Sequence, residues 1–219
     1  MAVRPGKVDP KTLRVPVAFF FAAAAIYCVA AYGMGRFTRP MGLLMLGMFV
    51  AYMAANVWQM KNAPAEPEHE EELMSLGRIV LRLVVGATLI ALGANLLVDN
   101  GTLIAQALGV PESVIALTFV ALGTSLPELF TSVAAARRGN ADIAIGNIVG
   151  SNIFNILFVV GLSSLIIDIP FASAFNFDTY VALGAAVLLW LCVLRTQRLQ
   201  RWAGALMLVC YAAYLGYIL

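Results

Sequence analysis

GTSLPELFTS, residues 123–132, lies between the apolar runs VIALTFVAL and VAAA. A proline, a carboxylate and four hydroxyls therefore sit in the middle of a greasy stretch. Counted from Ala121, the residues Ala121, Thr124, Ser125, Glu128 and Ser132 fall at i, i+3, i+4, i+7 and i+11, one face of a helix. Pro127 has no N–H, so the carbonyl of Gly123 loses its helical partner, and the ring crowds that same turn. The sequence thus predicts a helix break at Pro127, with free carbonyl oxygens beside Thr124 and Ser125. Irregular backbone is tolerated at membrane depth only where it is buried in protein or lines a watery cavity. Oxygens from carbonyls, hydroxyls and a carboxylate suit a hard cation such as Na+ or Ca2+.

The surroundings are those of a membrane protein. Of 219 residues, 62% are hydrophobic and 12% charged, and the mean hydropathy is +0.89. Soluble domains carry roughly 25% charged residues, so the reading is an all-α polytopic membrane protein whose solvent is the lipid bilayer. The net charge is +2, and the basic residues are scattered between apolar runs without a clustered basic face, which excludes a nucleic-acid binder. Cys28, Cys192 and Cys210 all lie inside apolar runs and read as small packing residues, since an odd number of buried thiols is no disulfide framework. The first apolar run is long and lacks a small-residue cleavage site, so no cleavable signal peptide is expected.

About 20 apolar residues are needed to cross the hydrocarbon core. Seven segments are predicted to span: 14–33, 41–58, 78–98, 112–136, 142–167, 178–194 and 202–219. Residues 1–13 form a short N-terminal segment. Residues 59–77, QMKNAPAEPEHEEELMSLG, with five glutamates and His69, read as a flexible acidic linker. Twelve basic residues (Arg4, Lys7, Lys11, Arg14, Lys61, Arg78, Arg82, Arg137, Arg138, Arg195, Arg198, Arg201) fall on one side of these spans, and Arg36 and Arg39 fall on the other. The positive-inside rule puts the N-terminus and the 59–77, 137–141 and 195–201 loops in the cytoplasm and the C-terminus on the far side, in a cell (inner) membrane.

The second and seventh spans repeat each other. RFTRPMGLLMLGMFVAY (36–52) lies over RLQRWAGALMLVCYAAY (198–214) at a constant offset of 162 residues. Arg36/Arg198, Arg39/Arg201, Gly42/Gly204, Leu44/Leu206, Met45/Met207, Leu46/Leu208, Ala51/Ala213 and Tyr52/Tyr214 are identical pairs. The arginines of the two copies fall on opposite sides of the membrane. Inverted repeats of this kind are typical of secondary transporters, with the substrate site near the midplane. The same offset places a partner for the Glu128 motif before Met1. The expectation is the second half of a ten-span protein (78–219) preceded by the last two spans of its first half (14–58).

A second polar motif follows in AIGNIVGSNIFN (144–155). Asn147, Ser151 and Asn155 stand at i, i+4 and i+8, and Gly146 and Gly150 form a G-x-x-x-G that would let another backbone approach. Ser125-x-x-Glu128 is also a capping-box pattern with Pro127 in the first turn, which would explain a break but not a second polar face. Asn95, in the third span, reads as interhelical glue. No span interior has a His or Lys to serve Ser125 as a base, so an intramembrane hydrolase is disfavoured and no catalytic residue or cofactor is expected.

VIALTFVALGTSLPELFTSVAAARRGNADIAIGNIVGSNIFNILFVVGL (114–162) closely resembles the second α-repeat of the sodium/calcium exchanger family, part of the calcium/cation antiporter superfamily. The G-T-S-L-P-E-L and G-N-x-x-G-S-N-I-F-N pair carries the resemblance. It implies a fold of ten helices in two inverted halves of five, each bringing one α-repeat to a shared set of cation sites. It implies Glu128 as the central ligand, hydroxyls from Thr124 and Ser125, the Ala121 carbonyl on Na+, and contributions from Asn147 and Ser151. Asn147 stands where some members carry Asp, and Ala116 where many have Gly. The implied activity is exchange of Ca2+ against Na+, both as transported ligands. Full activity would need the first α-repeat from a complementary chain or N-terminal segment. The alternative is a half that binds cations or a partner without transport.

Overall fold

The computed structural model describes residues 6–7, 10–62, 75–107, 109, 121–196 and 198–218. Strand β1 (Gly6–Lys7) leads into helix α1 (Pro10–Cys28), which widens into a π-helical turn over Val29–Met34. Strand β2 (Arg36–Phe37) and helix α2 (Arg39–Lys61) follow, then helix α3 (Leu76–Ala107). Helix α4 (Ala121–Arg137) carries the GTSLPELFTS motif. Helix α5 (Ala141–Ile153) runs through a second π-helical stretch, Phe154–Val160, into helix α6 (Gly161–Ile166). Strand β3 (Ile169–Pro170), helix α7 (Asn176–Thr196), strand β4 (Arg198–Leu199) and helix α8 (Arg201–Ile218) complete the order. The chain is all-α and polytopic, the four strands among the described residues being two residues each.

Local chemistry sets these boundaries. Pro40 stands in the first turn of α2, where its missing N–H costs nothing, and Thr38 before that helix is extended. Gly139 takes φ +86° between α4 and α5, a left-handed turn that residues with a Cβ adopt reluctantly. Asp142 sits in the first turn of α5, where the helix dipole favours a carboxylate.

Among the described residues, five helical stretches are long and apolar enough to cross a membrane: Leu13–Met34, Arg39–Lys61, Leu76–Ala107, Ala141–Ile166 and Ser173–Val193. They cover five of the seven predicted spans. The seventh is the helix α8, and α4 covers the fourth from residue 121 onward. Residues 112–120, including Ala116, and most of the 59–77 linker with His69 lie outside the described residues. Many large apolar side chains face outward, Trp58, Leu83, Leu97 and Val209 among them, as a lipid-facing surface requires.

The chain divides into two compact units, one of residues 64–131 and one of residues 1–63 together with 132–218. The smaller holds α3 and the first part of α4. The larger holds α1, α2, α5 to α8 and the last residues of α4. Its core joins Ala23, Ala30 and Ala31 of the first span, Met45 of α2, Ile145, Val149 and Ile153 of α5, and Leu157 of the π-helical stretch. Small residues on α1 let α5 come close, while Met45, Ile145, Ile153 and Leu157 fill the centre and are almost fully buried.

Two strand pairs tie this unit together. β1 pairs antiparallel with β4 (Lys7 opposite Arg198), and β2 pairs antiparallel with β3 (Phe37 opposite Ile169). β1 and β2 flank α1, and β3 and β4 flank α7, so the two helices run antiparallel, joined end to end at both limits. Phe21 meets Trp190 and Tyr32 stacks on Tyr180 along their length. The internal repeat is structural as well: the offset of 162 carries Arg36–Phe37 onto Arg198–Leu199, and α2 and α8 begin at Arg39 and Arg201.

A close helix crossing lies between α2 and α6. A Cβ on Gly42 would meet the Gly161 carbonyl oxygen at 2.6 Å, Leu165 Cδ2 at 3.2 Å and the Ser164 hydroxyl. A Cβ on Gly161 would meet Met45 Cβ at 3.1 Å and Leu46 Cγ at 3.4 Å. Ser164, fully buried, donates its own hydrogen bond to the Gly161 carbonyl (2.8 Å).

Candidate cation site

Helix α4 runs unbroken through Pro127 from Ala121 to Arg137, so the predicted break at Pro127 does not occur. A proline removes one N–H, and a helix with neighbours to support it survives that loss. Thr131 donates its hydroxyl to the carbonyls of Pro127 (2.9 Å) and Glu128 (3.1 Å), one turn beyond the carbonyl the proline leaves without its helical partner. The capping-box reading falls with the break, because Ser125 stands inside the helix and not at its cap. Gly123, whose carbonyl the Pro127 ring crowds, also lies where a Cβ would collide with Val98 of α3. One glycine thus accommodates the proline and admits the neighbouring helix. The sequence reading missed this packing role, whose signal is a glycine four residues before the proline.

The polar face of α4 is therefore regular helix. Ala121, Thr124, Ser125, Glu128 and Ser132 keep the i, i+3, i+4, i+7, i+11 spacing. Thr124 and Ser125 are exposed, Glu128 is half-buried with its Oε2 shielded from solvent, and Ser132 is buried. Ala121 opens the described part of the helix.

In the larger unit, Asn147 of α5 donates Nδ2–H to Ser132 Oγ at 3.0 Å. Ser132 Oγ lies 3.4 Å from the Ala144 carbonyl oxygen, to which it donates. The end of α4 and the start of α5 are thus joined by polar side chains at a small-residue contact of Ala135, Ala136 and Ala144. The alanines let the two backbones close until hydroxyl and amide meet.

Ser151 is half-buried and donates to the Ile148 carbonyl (3.1 Å), and the exposed Asn152 amide does the same at 2.8 Å. Asn155 does not continue the Asn147–Ser151 row on regular helix. It falls in the π-helical stretch and is exposed. The wider π turn shifts the register after Phe154. Nor does Gly146–Gly150 make the close crossing expected of it: among the described residues nothing lies within 4 Å of a Cβ at Gly146, and the Tyr52 hydroxyl comes only to 3.9 Å of one at Gly150. Gly42 and Gly161 make that crossing instead. Asn95 is exposed on α3.

Chemically, the motif offers one carboxylate, two exposed hydroxyls and helix carbonyls on α4, and amide and hydroxyl oxygens on α5. No group of three or more His, Cys, Asp or Glu side chains with metal-binding geometry occurs among the described residues. Ca2+ takes about 6–8 oxygens, usually with several carboxylates, so this set is a partial one.

The sequence pattern of the sodium/calcium exchanger protein family matches residues 78–219. The chain belongs to that family. Among family relatives, the sodium/calcium exchanger MaX1 of Methanosarcina acetivorans is 38% identical over 137 residues, 62% of this chain and 39% of MaX1. The inner membrane protein YrbG of Escherichia coli is 33% identical over 173 residues, 75% of this chain and 53% of YrbG. The solved structure of the sodium-calcium exchanger NCX_Mj, soaked with zero Na+ and Ca2+, matches 97% of this chain and 67% of its own with a TM-score of 0.76 and 32% identity. This exchanger-family chain thus spans 39% and 53% of the length of the two curated relatives. It is an integral membrane protein, as its helices and its relatives agree.

Proposed function

We propose that the chain forms the α-repeat-bearing part of a cation antiporter that exchanges Ca2+ against Na+. Glu128 is the central ligand, Thr124 and Ser125 give hydroxyls, the Ala121 carbonyl coordinates Na+, and Asn147 and Ser151 line the site from α5. A complementary first α-repeat, on another chain or an N-terminal segment, completes the ligand set. The bond from Asn147 to Ser132 carries the reading: it ties the asparagine of the second polar motif to the end of α4. A lone carboxylate within a membrane-spanning helix is costly and is expected to serve function. Cation occupancy neutralises that charge in a desolvated place, and competition between Na+ and Ca2+ for the same oxygens couples their movements. The orientation follows from the basic residues, with the N-terminus cytoplasmic in a cell membrane.

The test is uptake of isotope-labelled calcium into vesicles under a sodium gradient, with the first-repeat half co-reconstituted. Glu128→Gln should abolish the uptake, since an amide keeps the shape and loses the charge. Unchanged uptake in that variant would remove Glu128 from the central role.

A further inference from the structure

We propose that the cavity at the β2–β3 corner holds the headgroup of a phosphatidylethanolamine molecule, with Arg39 on its phosphate and Asp168 on its ammonium group. Thr38, Arg39 and Pro40 line the cavity from the start of α2, and Ile166, Ile167 and Asp168 line it from the end of α6. The site needs only the fold and its place in a membrane, and it owes nothing to the antiporter reading given above.

The cavity is about 490 Å³ and lies where the spans Arg39–Lys61 and Ala141–Ile166 reach the membrane surface. Its walls are preset. Strand β2 is bonded to β3, and the Gly42–Gly161 crossing fixes α2 against α6 about one turn below Arg39. A site held from both sides loses little freedom when a ligand settles in it. Arg39 and Asp168 bring opposite charges, and among the described residues neither side chain has a hydrogen-bond or ion-pair partner. An arginine alone at a helix end is an ordinary headgroup anchor. An acid lining the same cavity changes what can bind. A simple anion would meet Asp168 as a like charge, and a simple cation would meet Arg39. A ligand carrying both charges satisfies both side chains.

The strand register gives the two charges an order. Phe37 lies opposite Ile169. Thr38 (φ −102°, ψ 164°) and Ile167 (φ −142°, ψ 143°) are extended, so the same register sets Thr38 level with Asp168 and Arg39 level with Ile167. Arg39 therefore stands one residue, roughly 3.3 Å, closer to the bilayer than Asp168. In an ethanolamine phospholipid the phosphate adjoins the glycerol, and the ammonium lies a short ethylene link further out. The basic residue is thus at the level of the phosphate and the acid at the level of the ammonium. A guanidinium grips phosphate oxygens with paired N–H donors. The Thr38 hydroxyl, which makes no cap bond to α2, is a further donor beside it. Asp168 accepts from the primary ammonium. A choline headgroup has no N–H to give it, and a glycerol headgroup has no positive charge, so the cavity selects ethanolamine. Ile166 and Ile167, 74% and 67% exposed, form the apolar wall against which the glycerol and the first acyl methylenes lie.

Native mass spectrometry of the full chain, taken from micelles holding equimolar phosphatidylethanolamine, phosphatidylcholine and phosphatidylglycerol, reads which lipid is retained. The chain should keep phosphatidylethanolamine about fivefold over either of the others, the scale of one exposed ion pair. Asp168→Asn should bring phosphatidylethanolamine down to the phosphatidylcholine level. Arg39→Gln should lower retention of both by about fivefold, and Arg39→Lys should keep much of it. Both side chains are exposed, so the thermal unfolding midpoint should not change. A second measurement uses the unaltered chain in phosphatidylethanolamine nanodiscs. A carbodiimide condenses a carboxylate with a primary amine held against it, and the lipid adduct should form on Asp168 about fivefold more than on the exposed Asp99. Equal retention of the three lipids would overturn the proposal, as would a preference for phosphatidylglycerol, which would mark a plain anion site. So would an ethanolamine preference that survives Asp168→Asn, or an adduct no greater on Asp168 than on Asp99. No ion flux is read in either measurement, so an absence of antiport would leave their results standing.

Discussion

Replacing Gly42 by alanine adds one methyl group where the backbones of α2 and α6 cross. The new Cβ would lie 2.6 Å from the Gly161 carbonyl oxygen and 3.2 Å from Leu165 Cδ2, with the Ser164 hydroxyl closer still. A side chain could rotate away, but the carbonyl is backbone within a helix and yields only if α6 moves. Overpacking of a filled interior costs typically 1–3 kcal/mol, and alanine returns up to about 1 kcal/mol of helix propensity over glycine. With backbone as the obstacle, the upper part of the range applies, and a net loss of about 2 kcal/mol is expected. That is roughly a 30-fold drop in the folding equilibrium, since about 1.4 kcal/mol is tenfold. Reversible unfolding in mixed micelles, followed by tryptophan fluorescence, measures it. Gly204→Ala at the repeat-equivalent position is the matched control and should be neutral or slightly stabilising, because its Cβ meets nothing among the described residues. Ser164→Gly in the Gly42→Ala background should recover only part of the loss, since the Gly161 carbonyl remains. A Gly42→Ala variant as stable as the parent, or a Gly204→Ala variant equally damaged, would refute the reasoning.

Ser132→Ala removes the acceptor of the Asn147 amide and should cost about 0.5–1.5 kcal/mol in the same unfolding assay, in the range of membrane interhelical hydrogen bonds. Phe49→Ala deletes a ring packed on both Phe154 and Phe158 and should cost about 3 kcal/mol, with Phe49→Leu recovering more than half. Tyr214→Phe removes the 2.8 Å hydrogen bond that Tyr214 donates to Asp178 and should cost about 1–2 kcal/mol, a loss that Asp178→Asn should largely share with it in a double-mutant cycle.

Much of the architecture was readable from residue order because spans and repeats are written in patterns longer than any one contact. Runs of apolar residues located the helices, and the matched arginines and glycines at an offset of 162 anticipated strands and helix starts that recur at the same spacing. The polar helix face around Glu128 was legible for the same reason, being a periodicity. What failed were predictions about single backbone events. Pro127 suggested a break, yet the loss of one hydrogen bond is small beside the packing that holds α4. Among the described residues the close glycine crossing belongs to Gly42 and Gly161, which stand 119 positions apart in the chain, and not to Gly146 and Gly150 with their short spacing. No local motif announces a contact between residues so distant in sequence. The π-helical turns at Val29–Met34 and Phe154–Val160 also left no composition cue, and the second moves Asn155 out of the row it seemed to extend on paper.

The paired strands at either limit of α1 and α7 have a mechanical consequence. Two rods pinned together at one tip can shear past each other, but rods pinned at both tips cannot. Sliding α1 along α7 by even one residue would mean unzipping β1 from β4 and β2 from β3 at the same moment. The two helices therefore form a stiff spar, and any rearrangement of this unit must carry the spar as one piece.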